Sequence, residues 1–473
     1  MKVLLIQPDF QRQDSSSEQL SSHLLPSYSL VLLSQILEKA GHKTKVLDGF
    51  SNWVITGKGK ENDLSKGLKT ILEKESFDLV GISVYTPLRK EALQLAKLAS
   101  DLAPGSKIVM GGPHPTRLWQ SMFKKNKELI DFILLGGADH SLLALVESLE
   151  DKDRARTEIP GLVWLDEEGE VIAGGRPVFN IDLEDQAPVR FDGYLAGIGN
   201  EKVDRAYLVT TRGCKFHCNF CSQLWKKALL HPAARAVEEA RHLVEDLDVS
   251  ELVFYDDCLG LDPRHSAEVF KGISQFKRKA RLIGITHIQL LNPLWLNPFR
   301  EAGGEALLLG LESGSLKQRR KMNKHIEDKE ICQGVELLRK MGFKLGIYTM
   351  VGFPNEEPAQ LFSTMRLLEK ISPEQVIATV YDLKPGDMMI EWGIKALMLQ
   401  EIDYLNQDRR IINYMTEDEL EDAVGIADYL ETRFTAQTLL KDHDPPWWIL
   451  GYDLAKREQL RKKAGEILSK CQN

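Results

Sequence analysis

The sequence predicts an α/β protein: an N-terminal doubly wound, flavodoxin-like domain, then a partial (β/α)6 barrel of TIM type, then a small, mainly helical C-terminal segment. Three observations carry this. Short, near-continuous apolar runs alternate with amphipathic stretches over residues 1–150, the pattern of a parallel sheet covered on both faces. The alternation breaks over residues 151–204 and then resumes six times within residues 205–390. At 473 residues the chain exceeds the usual size of one hydrophobic core, so several domains are expected.

The strands expected in the first domain are "KVLLIQP", "KTKVLD", "DLVGISVY", "KIVMGGP" and "DFILLGG". They are separated by helical stretches such as "SLVLLSQILEKAG" and "RKEALQLAKLASDLAPG". Ligands of such sheets sit outside the carboxyl ends of the strands. That directs attention to the loops Gln7–Phe10, Val84–Pro87, Gly111–Thr116 and Gly136–His140. Gly111, Gly112, Gly136 and Gly137 suit a flat ligand that needs close backbone approach, and they also suit tight turns.

Residues 151–204 read as a β-hairpin turning at Glu167–Gly169, followed by an acidic, Pro-containing connector. The six later strands are "AYLVTT", "ELVFYDD", "RLIGITHI", "ALLLGLE", "KLGIYTMVGF" and "QVIATVYDL". Six units fit a partial barrel, since a closed eightfold barrel takes about 250 residues. Residues 391–473 are charged and helical, with a Pro-Pro-Trp-Trp stretch that reads as packing of a terminal helix or as a lid.

Acidic residues number 69 against 61 basic ones, a net charge of −8, so no broad basic footprint points to nucleic acid. The apolar run near the N-terminus is too short for a signal segment or a membrane span, and a cytoplasmic protein is expected. Six cysteines in so long a chain are no disulfide framework. Three of them, Cys214, Cys218 and Cys221, stand together directly after the first barrel strand. Cys258, Cys332 and Cys471 are scattered and read as two core residues and a tail thiol.

Clustered thiols in a reducing compartment hold metal or do redox chemistry. A structural zinc site takes four closed ligands, and the C-x3-C-x2-C spacing offers three, with His217 awkwardly placed between two of them. Iron–sulfur clusters also take thiolates, and four irons on three cysteines leave one iron open. An open position is the mark of a catalytic metal site. Zinc and cluster both remain readings of the bare spacing.

The motif, with aromatic Phe220 just before the third cysteine, resembles the radical SAM superfamily signature C-x3-C-x-aromatic-C. The resemblance implies a [4Fe-4S] cluster on Cys214, Cys218 and Cys221, with S-adenosylmethionine on the open iron. "VFYDDC" at Val253–Cys258 then makes Asp256 and Asp257 candidate contacts to the methionine end. "LLLGLESGS" at Leu307–Ser315 offers Glu312 and Ser313 for ribose or amine. "KMNKH" at Lys321–His325 is similar to the following polar loop, and "MVGFP" places Val351 and Gly352 beside adenine. Helix capping by the aspartates and a structural pairing of Glu312 are the plainer readings.

A doubly wound domain ahead of such a barrel resembles the cobalamin-binding subgroup of that superfamily. "SVYTP" and "GGPHPT" match its corrin-facing loops, which implies cobalamin contacts from Ser83, Tyr85, Thr86, Leu88, Gly111, Gly112, His114, Gly136 and Gly137. The string D-x-H-x-x-G, which would give cobalt a histidine, does not occur. Tyr85 or Leu88 is then the residue expected to shield the lower face, while His140 reads as a cap or a surface residue. The resemblance implies methylation of an unactivated carbon through cobalamin and a 5′-deoxyadenosyl radical. Cyclisation, rearrangement or oxidation without methyl transfer is the alternative, and a non-catalytic metal- or cobalamin-binding regulator a second one. A small-molecule or peptide substrate and an electron donor such as flavodoxin or ferredoxin are the implied partners.

Overall fold

The computed structural model describes residues 1–8, 25, 27–49, 53–54, 64–151, 153–177, 186–192, 203–221, 223–381, 417–439 and 454–470. The chain divides into two compact units, Met1–Ala206 and the part that begins at Tyr207. The Pro-Pro-Trp-Trp stretch, Cys471 and the end of the Gln7–Phe10 loop lie outside the described residues.

In the first unit the apolar runs become β1 (Lys2–Gln7), β2 (Lys43–Asp48), the short β3 (Trp53–Val54), β4 (Leu79–Ser83), β5 (Lys107–Gly111) and β6 (Phe132–Leu134). Val3, Leu4, Leu5 and Ile6 are all buried, so β1 shows no alternation, as expected of a strand covered on both faces. The order β2-β1-β4-β5-β6 is parallel throughout. With the antiparallel edge strand β3 set aside, this is the flavodoxin-like order 2-1-3-4-5. Helices α1 (Tyr28–Lys39), α2 (Leu64–Lys74), α3 (Arg89–Leu102), α4 (Pro113–Asn126) and α5 (Ser141–Glu150) alternate with the strands. Leu4, Ile6, Val80, Ile82, Leu95, Met110 and Phe123 share the core.

The predicted hairpin is β7 (Leu162–Leu165) and β8 (Val171–Ala173). Its turn is closed by the Asp166 carboxylate, which accepts from the amides of Glu168 and Glu170. It does not stand apart as a connector: β7 pairs antiparallel with β6, so the hairpin extends the first sheet.

The second unit is built on six strands: β9 (Arg205–Leu208), which spans the division between the units, then β12 (Glu251–Leu259), β13 (Arg281–Thr286), β14 (Gly304–Glu312), β15 (Lys344–Val351) and β16 (Gln375–Val380). A two-stranded ribbon, β10 (Thr211–Arg212) with β11 (Leu229–Leu230), intervenes. The six lie in sequence order in one sheet, and β12 through β16 pair in parallel. Helices α6 (Ala233–Arg241), α7 (Pro263–Ser274), α8 (Pro293–Glu301), α9 (Leu316–Lys321), α10 (Asp328–Lys340) and α11 (Pro358–Ile371) fall between the strands.

Successive residues of β12 serve opposite faces. Val253 joins Ile283, Ala306, Leu308 and Ile377 in the inner core, whereas Phe254 meets Phe270 of α7 and Phe299 of α8 edge-on at 5.0 and 6.2 Å. Full burial of one such ring stabilises by roughly 1.5–3 kcal/mol. Asp262 caps α7, accepting from the amides of Arg264 and His265. The edge strand β16 is covered by α12 (Glu417–Phe434) and the turn after it. Glu431 accepts from the Ala378 amide at 2.9 Å and Thr435 from the Val376 amide at 3.1 Å, which consumes donors an open edge would expose. Helix α13 (Leu454–Lys470) pairs with α12 through Arg457–Asp428 and Lys456–Glu421. Among the described residues no helix is long and apolar enough to cross a membrane.

Candidate functional site

The three clustered cysteines lie on the loop that the β10–β11 ribbon pinches off at the end of the first barrel strand, each of them half-buried. Two neighbouring carboxylates of β12 tie the base of this loop. Asp256 is buried and accepts from the Thr210 amide and hydroxyl, both at 2.6 Å, and from the Thr211 amide at 3.1 Å. Asp257 accepts from the Gly213 amide at 2.6 Å. Gly213 has φ +86°, and a Cβ there would stand 2.3 Å from the Lys227 carbonyl, so the turn into Cys214 requires glycine. The Cys214 amide closes the turn onto the Trp225 carbonyl at 3.0 Å.

The far side of the loop is fastened to the turn after α9. The Asn219 amide and side chain donate to the carbonyls of Met322 and Lys321 at 2.8 and 3.0 Å, and Asn323 donates to the His217 carbonyl at 2.7 Å. The same turn presents Lys324, whose ammonium donates to Glu312 at 2.8 Å and stands 5.9 Å from the Phe220 ring centroid. Burial alone would lower the Lys324 pKa. The Glu312 carboxylate and the nearby thiols outweigh it and hold the pKa above its ordinary value.

Two further residues belong to the site and were not singled out by the sequence. Cys258 is buried as expected of a core thiol, yet it hydrogen-bonds Cys214 and so draws the Cys214 pKa down to about 7. His287, at the end of β13, stacks on Phe216 with ring centroids 3.9 Å apart. Burial, then the charge of Lys324, lowers its pKa to about 3. The signal for both is position: each lies at or just past the carboxyl end of an apolar strand, Cys258 within β12, as Asp256 is, and His287 directly after β13. Burial pushes Cys218 up to about 11, opposed by Lys324. Ligation must therefore take a proton from it.

Among the described residues no three His, Cys, Asp or Glu side chains converge as one metal ion requires. Yet Cys214, Cys218 and Cys221 lie near enough to bias one another electrostatically. Soft thiolate donors on a half-exposed loop, close but not convergent, fit a multi-iron cluster better than a single zinc.

Other expected contacts are distributed differently. Glu312, Phe220 and Gly352 face the loop assembly or its neighbouring strand ends. Gly352, with φ +79°, donates its amide to Glu356 at 2.7 Å. Ser313 and Val351 are fully buried. Ser313 Oγ accepts from the Ser315 amide and its carbonyl accepts from Arg319, so it braces the strand end. Asp256 likewise braces the loop, and the helix cap its bland reading offered is filled by Asp262 instead.

In the first unit, the loops after β4 and β5 meet. The His114 amide donates to the Val84 carbonyl, and His114 Nδ1 and Thr86 Oγ1 share a 3.1 Å hydrogen bond. Gly112, at φ +104°, lies where a Cβ would sit 3.0 Å from the Val84 carbonyl. Two expectations need correction. Leu88 is 1% exposed and packs in the core, so it shields no ligand face. His114 is fully buried, with its pKa lowered to about 3 first by burial and then by Arg89, which makes it a brace between loops and not a ligand-facing imidazole. Tyr85 is 46% exposed at the strand end, Ser83, Gly111 and Gly112 are half-buried, and Gly136 and Gly137 are buried, with the Gly136 amide donating to Thr116. His140 occupies the cap position of α5 without capping it and is a surface residue.

A parallel half-barrel with a braced three-thiol loop at its strand ends, preceded in the sequence by a flavodoxin-like sheet, defines a cluster-dependent enzyme of the α/β class. Residues 208–368 match the Radical SAM superfamily and residues 22–146 match the B12 binding domain. The chain is a radical SAM protein with a B12-binding domain. It is 25% identical over 414 residues to an uncharacterized methyltransferase of Pyrococcus horikoshii, covering 85% of each chain. It is 24% identical over 415 residues to the anaerobic magnesium-protoporphyrin IX monomethyl ester cyclase of Rubrivivax gelatinosus, covering 84% of this chain and 70% of that one. The fold is similar to that of the radical S-adenosylmethionine methyltransferase TsrM from Kitasatospora setae, with TM-score 0.64 and 16% identity over 80% of this chain and 72% of the other.

Proposed function

We propose that the protein is a cobalamin-dependent radical SAM methyltransferase acting on an unactivated carbon of a small-molecule or peptide substrate. The observation that carries this is the braced loop of Cys214, Cys218 and Cys221 with the Glu312–Lys324 pair beside it, in a chain that also has a B12-binding domain. When bound, the [4Fe-4S] cluster, S-adenosylmethionine and cobalamin supply reductive cleavage to a 5′-deoxyadenosyl radical and a carrier for methyl.

The chain's own part is to bind and orient. The three cysteines hold the cluster and leave one iron open. Glu312 and Lys324, a ready pair of opposite charges, receive the amine and carboxylate of the methionyl group. Phe220 packs against that end, and the bare backbone of Gly352 allows close approach of the adenine. Asp257, bonded to the Gly213 amide, keeps the loop in register. Tyr85 and the glycines of the first unit line the corrin. The free thiols suit a reducing, cytoplasmic setting.

The test is anaerobic reconstitution followed by product analysis. Methyl transfer yields S-adenosylhomocysteine together with 5′-deoxyadenosine once the true substrate is present, and Cys218→Ala yields neither. The similarity to a ring-forming cyclase over most of the chain supports a second reading, rearrangement or cyclisation without methyl transfer. Formation of 5′-deoxyadenosine alone on the true substrate decides for it. A regulator would carry the cofactors and form neither product.

A further inference from the structure

The thiol of Cys258 faces the ligand loop, and the fold holds it there from both sides of Cys214. Asp257, the residue before Cys258, accepts from the Gly213 amide at 2.6 Å, which sets the carboxyl end of β12 against the turn into Cys214. Beyond Cys214, Phe216 stacks on the His287 ring with centroids 3.9 Å apart. Cys214 is thus pinned one residue before it and two residues after it. Cys258 follows the first tie in the chain and takes the amide of the residue that makes the second. Strand β12 slips its register here, advancing from Phe254 to Leu259 while β13 advances only from Gly284 to Thr286. Such a bulge re-aims side chains that strict alternation would send elsewhere. The outcome is a hydrogen bond between the sulfurs of Cys258 and Cys214, and a second from the His287 amide to the Cys258 sulfur. Cys258 is 5% exposed, so water does not compete for either.

We infer that Cys258 is a positioning residue for the proposed cluster: its thiol donates a hydrogen bond to the Cys214 thiolate and so makes the bound cluster easier to reduce. The inference rests on the functional reading above. Ligation of iron takes the proton of Cys214, so the hydrogen that remains in the contact between the two sulfurs is the one on Cys258. The His287 amide occupies the acceptor side of the Cys258 sulfur, which turns its S–H toward Cys214. A donor on a ligand sulfur draws off negative charge, and one-electron reduction adds negative charge. The contact is therefore stronger in the reduced state and raises the potential. The electron comes from the external reductant; no bond breaks, and Cys258 keeps its proton. A fourth ligand is the weaker fit, since Cys258 would have to give up both hydrogen bonds and would close the iron left open for S-adenosylmethionine.

The test compares the reconstituted full chain with its Cys258→Ala and Cys258→Ser variants, without S-adenosylmethionine. Anaerobic potentiometric titration with dithionite, followed by the electron paramagnetic resonance of the reduced cluster, gives the midpoint potential. Alanine removes the donor, and the equilibrium constant for reduction falls by about 10-fold, which is about 59 mV for one electron. Serine keeps an O–H donor at the same place and returns that constant to within about 2-fold of wild type. Iron per chain is the same in all three. Wild-type potentials in both variants overturn the inference and leave Cys258 to packing. Equal shifts in both overturn it too, because the hydroxyl donor then makes no difference and lost packing is the cause. Cys258→Ala protein with less than half the wild-type iron also overturns it, since the thiol is then a ligand or a support of the loop. A wild type that loads no reducible cluster sinks the functional reading instead, so the two failures are distinct.

Discussion

Lys324 and Glu312 form a buried ion pair at 2.8 Å, with side chains only 5% and 10% exposed. Glu312 reaches it from the end of β14 with φ +66°, a left-handed conformation held by Thr349, whose hydroxyl donates to the Glu312 carbonyl at 2.8 Å. Gly310 makes room, since a Cβ there would lie 2.6 Å from the Glu312 carboxylate and 2.8 Å from the Lys324 ammonium. A strained non-glycine backbone costs about 1–3 kcal/mol, and a buried ion pair adds little stability over an apolar substitute. Two unfavourable features at one strand end, beside three thiols, mark a site kept for chemistry.

Lys324→Met leaves the Glu312 carboxylate buried without its cation, and stability falls by about 3–5 kcal/mol. Glu312→Leu/Lys324→Met removes both charges and recovers most of that loss. Urea unfolding measures both changes. Neither variant binds S-adenosylmethionine within 10-fold of wild type in equilibrium dialysis. A stable double variant with normal binding refutes the assignment of the pair to the ligand.

Gly213→Ala is expected to spoil cluster loading more than folding. The new Cβ would meet the Lys227 carbonyl, and φ +86° is costly for alanine, by about 1–3 kcal/mol. The strain is released by moving the turn that delivers Cys214. Iron per chain after anaerobic reconstitution should drop below half of wild type while far-ultraviolet circular dichroism is unchanged. Full iron content would show that the turn is not what positions the thiol.

Much of this was legible in the sequence, and the limit has a physical basis. Strands buried on both faces announce themselves as apolar runs, so β1, β4, β5 and the six barrel strands fell where expected. The cysteine spacing is local and needs no tertiary knowledge. What sequence did not show is which polar residue points where. Asp256 and Asp257 are neighbours on one strand, and the alternation of β12 buries one and exposes the other. Leu88 and Tyr85 differ in the same way, because the short turn after β4 drives one side chain into the core. Lys324 acts through Glu312, 12 residues before it and across a turn, and His287 through Phe216 on a different strand-end loop, relations that no motif spacing records.

His114 offers a sharper check on the first unit. Its Nδ1 is engaged with Thr86 and the ring is fully buried, so it is not placed to bind cobalt from the surface. His114→Ala removes the brace between the loops after β4 and β5, and cobalamin affinity should weaken several-fold. The electron paramagnetic resonance spectrum of cobalamin in the Co(II) state should lack nitrogen splitting in wild type and variant alike. Nitrogen splitting present in wild type and lost in the variant would make His114 a ligand after all.

Glu356 gives the loop after β15 a pH dependence. Its carboxylate accepts from the amides of Gly352 and Phe353, and burial, only partly offset by those two bonds, raises its pKa from 4.5 to about 7. The folded state therefore holds a proton that the unfolded chain releases between pH 4.5 and 7. Stability from this group is greatest below the unfolded value and is lost as pH rises to about 7, a change of roughly 3 kcal/mol. Glu431, whose pKa is also raised to about 7 by burial, adds a similar slope. Glu356→Gln keeps an acceptor for the two amides and removes the titration. Between pH 5 and pH 8 the stability of wild type should fall relative to that of the variant by about 2–3 kcal/mol in urea unfolding, and at pH 8 the variant should be the more stable protein. Identical slopes in the two proteins would mean that the carboxyl is already ionised at pH 5, with the two amides outweighing its burial.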